Sequence, residues 1–179
     1  MAVKINKVVL VDENDQIVGE MEKLQAHKKA RLHRAVSVFI VNSNKEWLLQ
    51  RRADGKYHSA GLWSNTSCTH PKKDEESVAC AKRRLKEEMG IETNLQYVFN
   101  FIYRAELDHA LCEHELDHVF IGMTDAKPQI DQNEVSDWKY MSYDELKKDM
   151  NVNPDRYTEW FKKMHKKVYR LLDEQYKEE

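Results

Sequence analysis

The sequence predicts a mixed α+β fold, layered around a β-sheet and closed by a long C-terminal helix. Three observations lead there. Short β-branched segments lie both before and after one amphipathic helix, and the end of the chain carries one apolar stripe at helical spacing. The composition, 41% hydrophobic and 34% charged over 179 residues, suits a buried core in a water-facing domain. The longest uninterrupted apolar runs are about four residues, far below the roughly 20 of a membrane span, so no transmembrane helix is expected.

The elements follow in order. Ile5–Val11 and Ile17–Gly19 flank the turn-rich Asp12-Glu13-Asn14-Asp15 and read as a hairpin. Ala35–Val41, nearly all apolar, is separated by Asn42-Ser43-Asn44-Lys45 from Trp47-Leu48-Leu49, a second hairpin with a buried strand. The stretch 74–89 reads as a helix with Val78, Ala81, Leu85 and Met89 on one face, Asp74 as its cap and Gly90 in the left-handed position after its end. Strands are expected over 97–104, 115–123 and 135–141. Ser142 with Glu145 forms a capping box, and Asn153-Pro154 opens a last helix with the stripe Trp160, Met164, Val168, Leu171, Leu172. With no linker, repeat or low-complexity tract, residues 1–179 are read as one domain.

Charge and cysteine content narrow the function classes. A net charge of −2 and a pI of about 6.5 argue against a nucleic-acid partner bound through a basic face, while leaving room for a small anion held by a few cations. Cys68, Cys80 and Cys112 fit neither a disulfide framework nor a zinc ribbon. Met1-Ala2-Val3-Lys4 does not begin a signal peptide, and a cytoplasmic protein is expected. Nothing signals an obligate interface, so a monomer is expected, with a dimer left open.

Four groups of residues suggest chemistry. In Ser67-Cys68-Thr69-His70-Pro71 the thiol and imidazole are two residues apart, so on extended backbone they face one side and can share a pocket. Alone, Cys68 would more often be a small buried hydrophobe. In Glu113-His114-Glu115 the same period points both carboxylates one way and His114 the other; such a pair repels unless a cation or proton lies between. His27 and His33 flank a basic stretch, and with His70, Glu113 and Glu115 they make a donor set better suited to a six-coordinate divalent metal than to a closed tetrahedral zinc. Arg84 and Glu88, four apart on the central helix, read as an ordinary ion pair or as an arginine for phosphates beside a Mg²⁺ carboxylate; Lys23, Arg52 and Lys56 are further anion-binding candidates.

The run Arg83-Arg84-Leu85-Lys86-Glu87-Glu88-Met89-Gly90-Ile91, with Glu75 upstream, resembles a degraded Nudix box; Thr69 and Arg84 stand where that box has Gly and Glu. Together with 32–39, 63–71 and Glu113-His114-Glu115, it resembles the type 1 isopentenyl-diphosphate Δ-isomerases over about residues 3–172, nearly the whole chain. The most specific element is Ser67-Cys68-Thr69-His70-Pro71 combined with the Glu113/Glu115 pair. The resemblance implies a Nudix-like mixed sheet sandwiched by helices and an enzyme of isoprenoid biosynthesis that interconverts isopentenyl and dimethylallyl diphosphate, a small homoallylic/allylic pair. It implies catalytic roles for Cys68, Glu115 and Tyr103. Metal ligation (Mn²⁺, Zn²⁺ or Mg²⁺) falls to His27, His33, His70, Glu113 and Glu115, and Glu88 would hold a Mg²⁺ carried by the substrate diphosphate. Lys23, Arg52, Lys56 and Arg84 would bind the diphosphate, and Trp160 would stack over the reacting carbon.

That chemistry needs an acid to protonate an unactivated alkene and a base to remove a proton from the neighbouring carbon of a tertiary carbocation, on opposite faces of the substrate. The expectation places alkene protonation on the Glu115–Tyr103 side and proton removal on a Cys68 thiolate, with the roles exchanged in reverse. Trp160 would offer its π face to the cation, worth about 1–2 kcal/mol if desolvated. The alternatives are a Nudix pyrophosphohydrolase, which would want an acidic residue at position 84, and a non-catalytic diphosphate- or metal-binding module, which would not need Cys68 and Glu115 together.

Overall fold

The structure, a computed structural model, describes residues 6–178. In chain order it contains β1 (Lys7–Val11), β2 (Ile17–Glu22), α1 (Lys23–Lys28), β3 (His33–Val41), β4 (Trp47–Arg52), β5 (Trp63–Ser64) and β6 (Ser67–Thr69). Then follow α2 (Ser77–Met89), β7 (Gln96–Glu106), β8 (Cys112–Met123), β9 (Val135–Met141), α3 (Tyr143–Val152) and α4 (Glu159–Glu178). The expected start of the first strand at Ile5 lies outside the described residues.

β3 organises the sheet because both of its edges are fully used. One edge runs parallel to β8 from His33↔Glu115 to Val41↔Met123. The other is shared in succession by β1, β6 and β4, all antiparallel. β7 extends the sheet beyond β8, and β9 and β5 extend it beyond β4. A strand covered on both faces needs apolar side chains on both. Val36, Val38 and Ile40 accordingly meet Cys80, Ala81, Leu85 and Met89 of α2. Phe39 and Val41 meet Trp160, Phe161, Met164 and Val168 of α4, with Leu146 and Met150 of α3. The result is helix–sheet–helix layering of mixed strand direction, as expected.

Two helix starts differ from expectation, and strands such as β2, β7 and β8 run longer than expected at one or both ends. α2 begins at Ser77: Asp74 is held at φ 59°, outside helical geometry, and Glu76 takes the cap position without a side-chain hydrogen bond. Val78 is exposed, and Cys80 supplies the buried contact instead. Pro154 opens only a 3₁₀ turn (Pro154–Arg156), after which Tyr157 and Thr158 dock on β5, where Thr158 N–H donates to the Trp63 carbonyl at 3.0 Å. α4 starts after that detour, and Leu171 is half-buried where full burial was expected. The capping box of α3 forms as read, and Gly90 ends α2 at φ 65°.

Candidate active site

At the His33 end of β3, on the face covered by α4, the pleat lines up polar groups where the core would otherwise continue. Glu115 stands across from His33 on one side and from Tyr103 on the other. Cys68 stands across from Ser37, two residues along β3 from Ala35. Cys68 and Glu115 therefore sit diagonally on one sheet face, separated by the small side chain of Ala35. His114 points away, as period two requires, and donates from Nδ1 to the Ala30 carbonyl at 3.0 Å.

Tyr103 Oη lies 2.6 Å from Glu115 Oε2 and 3.0 Å from Glu113 Oε2. One hydroxyl has one proton, so it cannot satisfy two ionised carboxylates at once. Burial, and then the charge of Glu115, push the Glu113 carboxyl well above the usual range, so the second proton belongs there. Burial also opposes ionisation of Glu115, but hydrogen bonds from His33 and His70 outweigh it and hold that carboxyl well below the usual range. Burial pushes the Cys68 thiol up to about 12, and Arg52, with Nη1 4.0 Å from the sulfur, offsets this only in part. Burial thus favours the thiol form of Cys68.

His27, His33, His70 and Glu115 each offer one ligand atom, all four within 4.8 Å of one another. His33 Nδ1 lies 2.7 Å from the Arg31 carbonyl, which aims Nε2 inward, 3.4 Å from Glu115 Oε1. His27 Nδ1 is 2.7 Å from the Tyr57 hydroxyl, and its buried Nε2 has no partner among the described residues. His70 Nε2 lies 2.9 Å from Glu115 Oε1 and 3.2 Å from His33 Nε2. Burial lowers His27 to about 4 and His70 to about 3, which keeps both neutral, the form that binds metals. Three converging imidazoles, one carboxylate and an orphaned inward nitrogen fit a divalent metal ion. Glu113 is outside this foursome: its Oε1 lies 3.8 Å from His58 Nε2.

A cavity of about 840 Å³ opens over these groups and is lined by Lys23, Arg52, Lys56, Arg84, Cys68, Tyr103 and Trp160 among others. Arg52 donates to the carbonyls of Ser59 and His58 at 3.1 and 3.2 Å and lies 5.2 Å from the Trp160 ring centre. Trp160 is fixed by Nε1 donating to Asn65 Oδ1 at 3.1 Å. Glu88 departs from expectation. It is buried, with Oε2 accepting from Gln50 Nε2 at 2.7 Å and Oε1 in a close ion pair with Arg84, so Arg84 and Glu87 form the cavity wall in its place. Tyr57, His58 and Glu134, also in the cavity wall, were not singled out from the sequence. The first two lie in an aperiodic loop where only their adjacency to Lys56 could have drawn attention.

Comparison with known proteins places this geometry. The model of the NUDIX domain matches residues 31–161. An isopentenyl-diphosphate Delta-isomerase of Pectobacterium atrosepticum is 52% identical over 157 residues, covering 88% of either chain. An isopentenyl-diphosphate Delta-isomerase 2 of Aromatoleum aromaticum is 48% identical over 155 residues, 87% of this chain and 82% of that one. Among solved structures, DR0079 of Deinococcus radiodurans superposes with a TM-score of 0.69 at 18% identity, over 83% of this chain and 90% of that one. The MutT protein of Methanosarcina mazei gives 0.64 at 20% identity, over 78% and 94%. At those identities the two structures speak to the fold alone.

Proposed function

The chain belongs to the isopentenyl-diphosphate Delta-isomerases of the NUDIX fold, and we propose that Cys68 and Glu115 are the two groups with which it moves the double bond. The activity is interconversion of isopentenyl and dimethylallyl diphosphate, an isomerisation serving isoprenoid synthesis. The observation that carries the assignment is the diagonal placement of a thiol and a carboxylate on one sheet face, at the floor of a cavity lined by four cations. One group adds a proton to the terminal carbon of the alkene, which leaves a tertiary cation at the next carbon, and the other removes a proton from the methylene on the far side of that cation to form the new double bond; the reverse reaction exchanges them. Tyr103 hydrogen-bonds Glu115 and keeps its carboxyl aimed into the cavity. Trp160, pinned by Asn65, presents its ring toward the hydrocarbon end.

Lys23, Arg52, Lys56 and Arg84 anchor the diphosphate, whose role is to hold the five-carbon chain between the two reacting groups. His27, His33, His70 and Glu115 would hold a divalent ion, Mn²⁺, Zn²⁺ or Mg²⁺, with Glu113 beside them. Such an ion would supply a fixed positive charge at the Glu115 carboxylate. A substrate-borne Mg²⁺ at Glu88 requires Arg84 to give up its ion pair there. The hydrolase alternative lacks an acidic side chain at position 84. We place the enzyme in the cytoplasm, as a monomer acting on a small soluble substrate; among the described residues no helix is long and apolar enough to cross a membrane.

The test is isomerisation of isopentenyl diphosphate in D₂O with Mg²⁺, followed by NMR. Deuterium-bearing dimethylallyl diphosphate is expected from the unaltered protein. Cys68→Ala and Glu115→Gln should each slow its formation by roughly 10²–10⁴-fold or more. Wild-type turnover in either variant would remove that residue from the pair, and released phosphate would return the hydrolase reading.

A further inference from the structure

The four cations of the cavity form two unlike pairs. Lys23 and Arg52, at the Cys68 end, make no ion pair within 4.0 Å among the described residues; Lys23 lies 5.3 Å from the Tyr57 ring centre, and Arg52 rests on backbone carbonyls. Lys56 and Arg84 instead converge on a single oxygen, Oε2 of Glu134, Arg84 at 3.0 Å and Lys56 in a close ion pair. Arg84 also reaches Glu87 at 2.9 Å and pairs with Glu88. At this outer end two cations face three carboxylates, so the anion-binding fork is already occupied by the protein's own acids.

Glu134 is built to stay there. It immediately precedes β9, its N–H donates to the Asp131 carbonyl at 2.9 Å, and its own carbonyl accepts from Ala53 N–H at 3.0 Å. The second bond ties it to the loop that carries Lys56. Its side chain is 30% exposed and lines the same cavity as the four cations, so an incoming anion can displace it.

We propose that Glu134 is an internal competitor for the diphosphate. It fills the Lys56–Arg84 fork in the ligand-free protein and yields it to the terminal phosphate, while Lys23 and Arg52 take the phosphate nearer the reacting carbons. This deepens the isomerase reading and rests on it for the identity of the ligand. Substrate and product carry the same diphosphate, so affinity gained there is shared by both and slows release. A carboxylate that returns to the fork offsets part of that affinity and hastens exchange.

The experiment titrates inorganic pyrophosphate and, separately, orthophosphate into the metal-loaded protein by calorimetry at fixed Mg²⁺, for wild type, Glu134→Gln and Glu134→Ala. Removing one negative charge a few ångströms from a multiply charged anion should tighten pyrophosphate about tenfold in both variants. Orthophosphate, held by the inner pair, should change by less than about twofold by the same distance argument. The KM for isopentenyl diphosphate should fall in parallel without a rise in kcat. Unchanged or weaker pyrophosphate binding in both variants overturns the proposal, because Glu134 would then be organising the cations or helping to hold Mg²⁺. If the wild-type protein binds pyrophosphate but turns over no isopentenyl diphosphate, the isomerase reading fails while the calorimetric result still decides the role of Glu134.

Discussion

Tyr103 is where the site's chemistry and its stability meet in one atom. Its hydroxyl joins two carboxyl groups that are largely buried, so little solvent is at hand to compensate for its loss. Tyr103→Phe keeps the ring stacked on Phe101 and removes only the hydrogen bonds. The expected result is a loss of about 1–3 kcal/mol of stability by urea unfolding, and a fall in kcat larger than any change in KM. Unchanged kcat would mean that the hydroxyl does not position Glu115. Residues like this show what could be read in advance. The Cys68/His70 and Glu113/Glu115 spacings are period-two statements, and period two holds on any strand. Glu88 could not be read this way: a helical register places it near Arg84 but does not say that the two will pair, nor that Gln50 of β4 will hydrogen-bond its other oxygen. His58 was missed for the opposite reason: it stands in a loop with no period, and only the tertiary fold brings its Nε2 to 3.8 Å from Glu113.

At the scale of elements, the legible parts were those whose signals are local. The Ala81, Leu85 and Met89 part of the α2 stripe, the capping box of α3 and the left-handed stop at Gly90 all depend on residues within a turn or two. The starts of α2 and α4 were misread because tertiary contacts decided them. Glu75 turns away to accept from Arg83 Nε at 2.6 Å, and Thr158 is drawn to β5 before α4 begins. Gly90 shows how tightly such an end is packed. A Cβ placed there would sit 2.7 Å from the Gln129 carbonyl oxygen, in a backbone conformation that L side chains avoid. Gly90→Ala combines both penalties and should destabilise the protein by roughly 2–3 kcal/mol. The measurement is a denaturation midpoint, with Asn94→Ala, at an exposed side chain in the same loop, as a control of smaller effect. A midpoint shift no larger than the control's would show that the 125–134 segment moves aside at little cost.

Across the whole molecule, the burial that builds the site also sets how stability responds to pH. Burial keeps His27 and His165 neutral down to about 4, His70 to about 3 and His58 to about 2, against an ordinary value of 6.5. Their folded pKa values are depressed, so their contribution is complete above 6.5 and is lost as pH falls, because the unfolded chain takes up protons that the folded one refuses. Each such imidazole costs up to about 1.4 kcal/mol per pH unit below that point. Glu113 and Asp117 act in the opposite sense: burial raises both, so the folded protein already holds protons that the unfolded chain binds only near 4. Burial lowers His118 as well, so five imidazoles oppose two carboxyl groups and unfolding takes up protons on balance: stability falls as the pH drops from 6.5 toward 4.5. Chelator-treated protein unfolded in urea at pH 7.5, 6.5, 5.5 and 4.5 should show this slope. Metal-loaded protein should be more stable at pH 7.5 and lose more on acidification, since protons compete with the ion for His27 and His70. His165, hydrogen-bonded to Tyr143 and remote from the cavity, separates the two effects. His165→Gln should lower the slope by about one proton in both preparations and leave the metal-dependent difference intact. A flat profile in the chelated protein would show that these imidazoles reach water in the folded state, and an identical slope with and without metal would remove His27 and His70 from the ligand set.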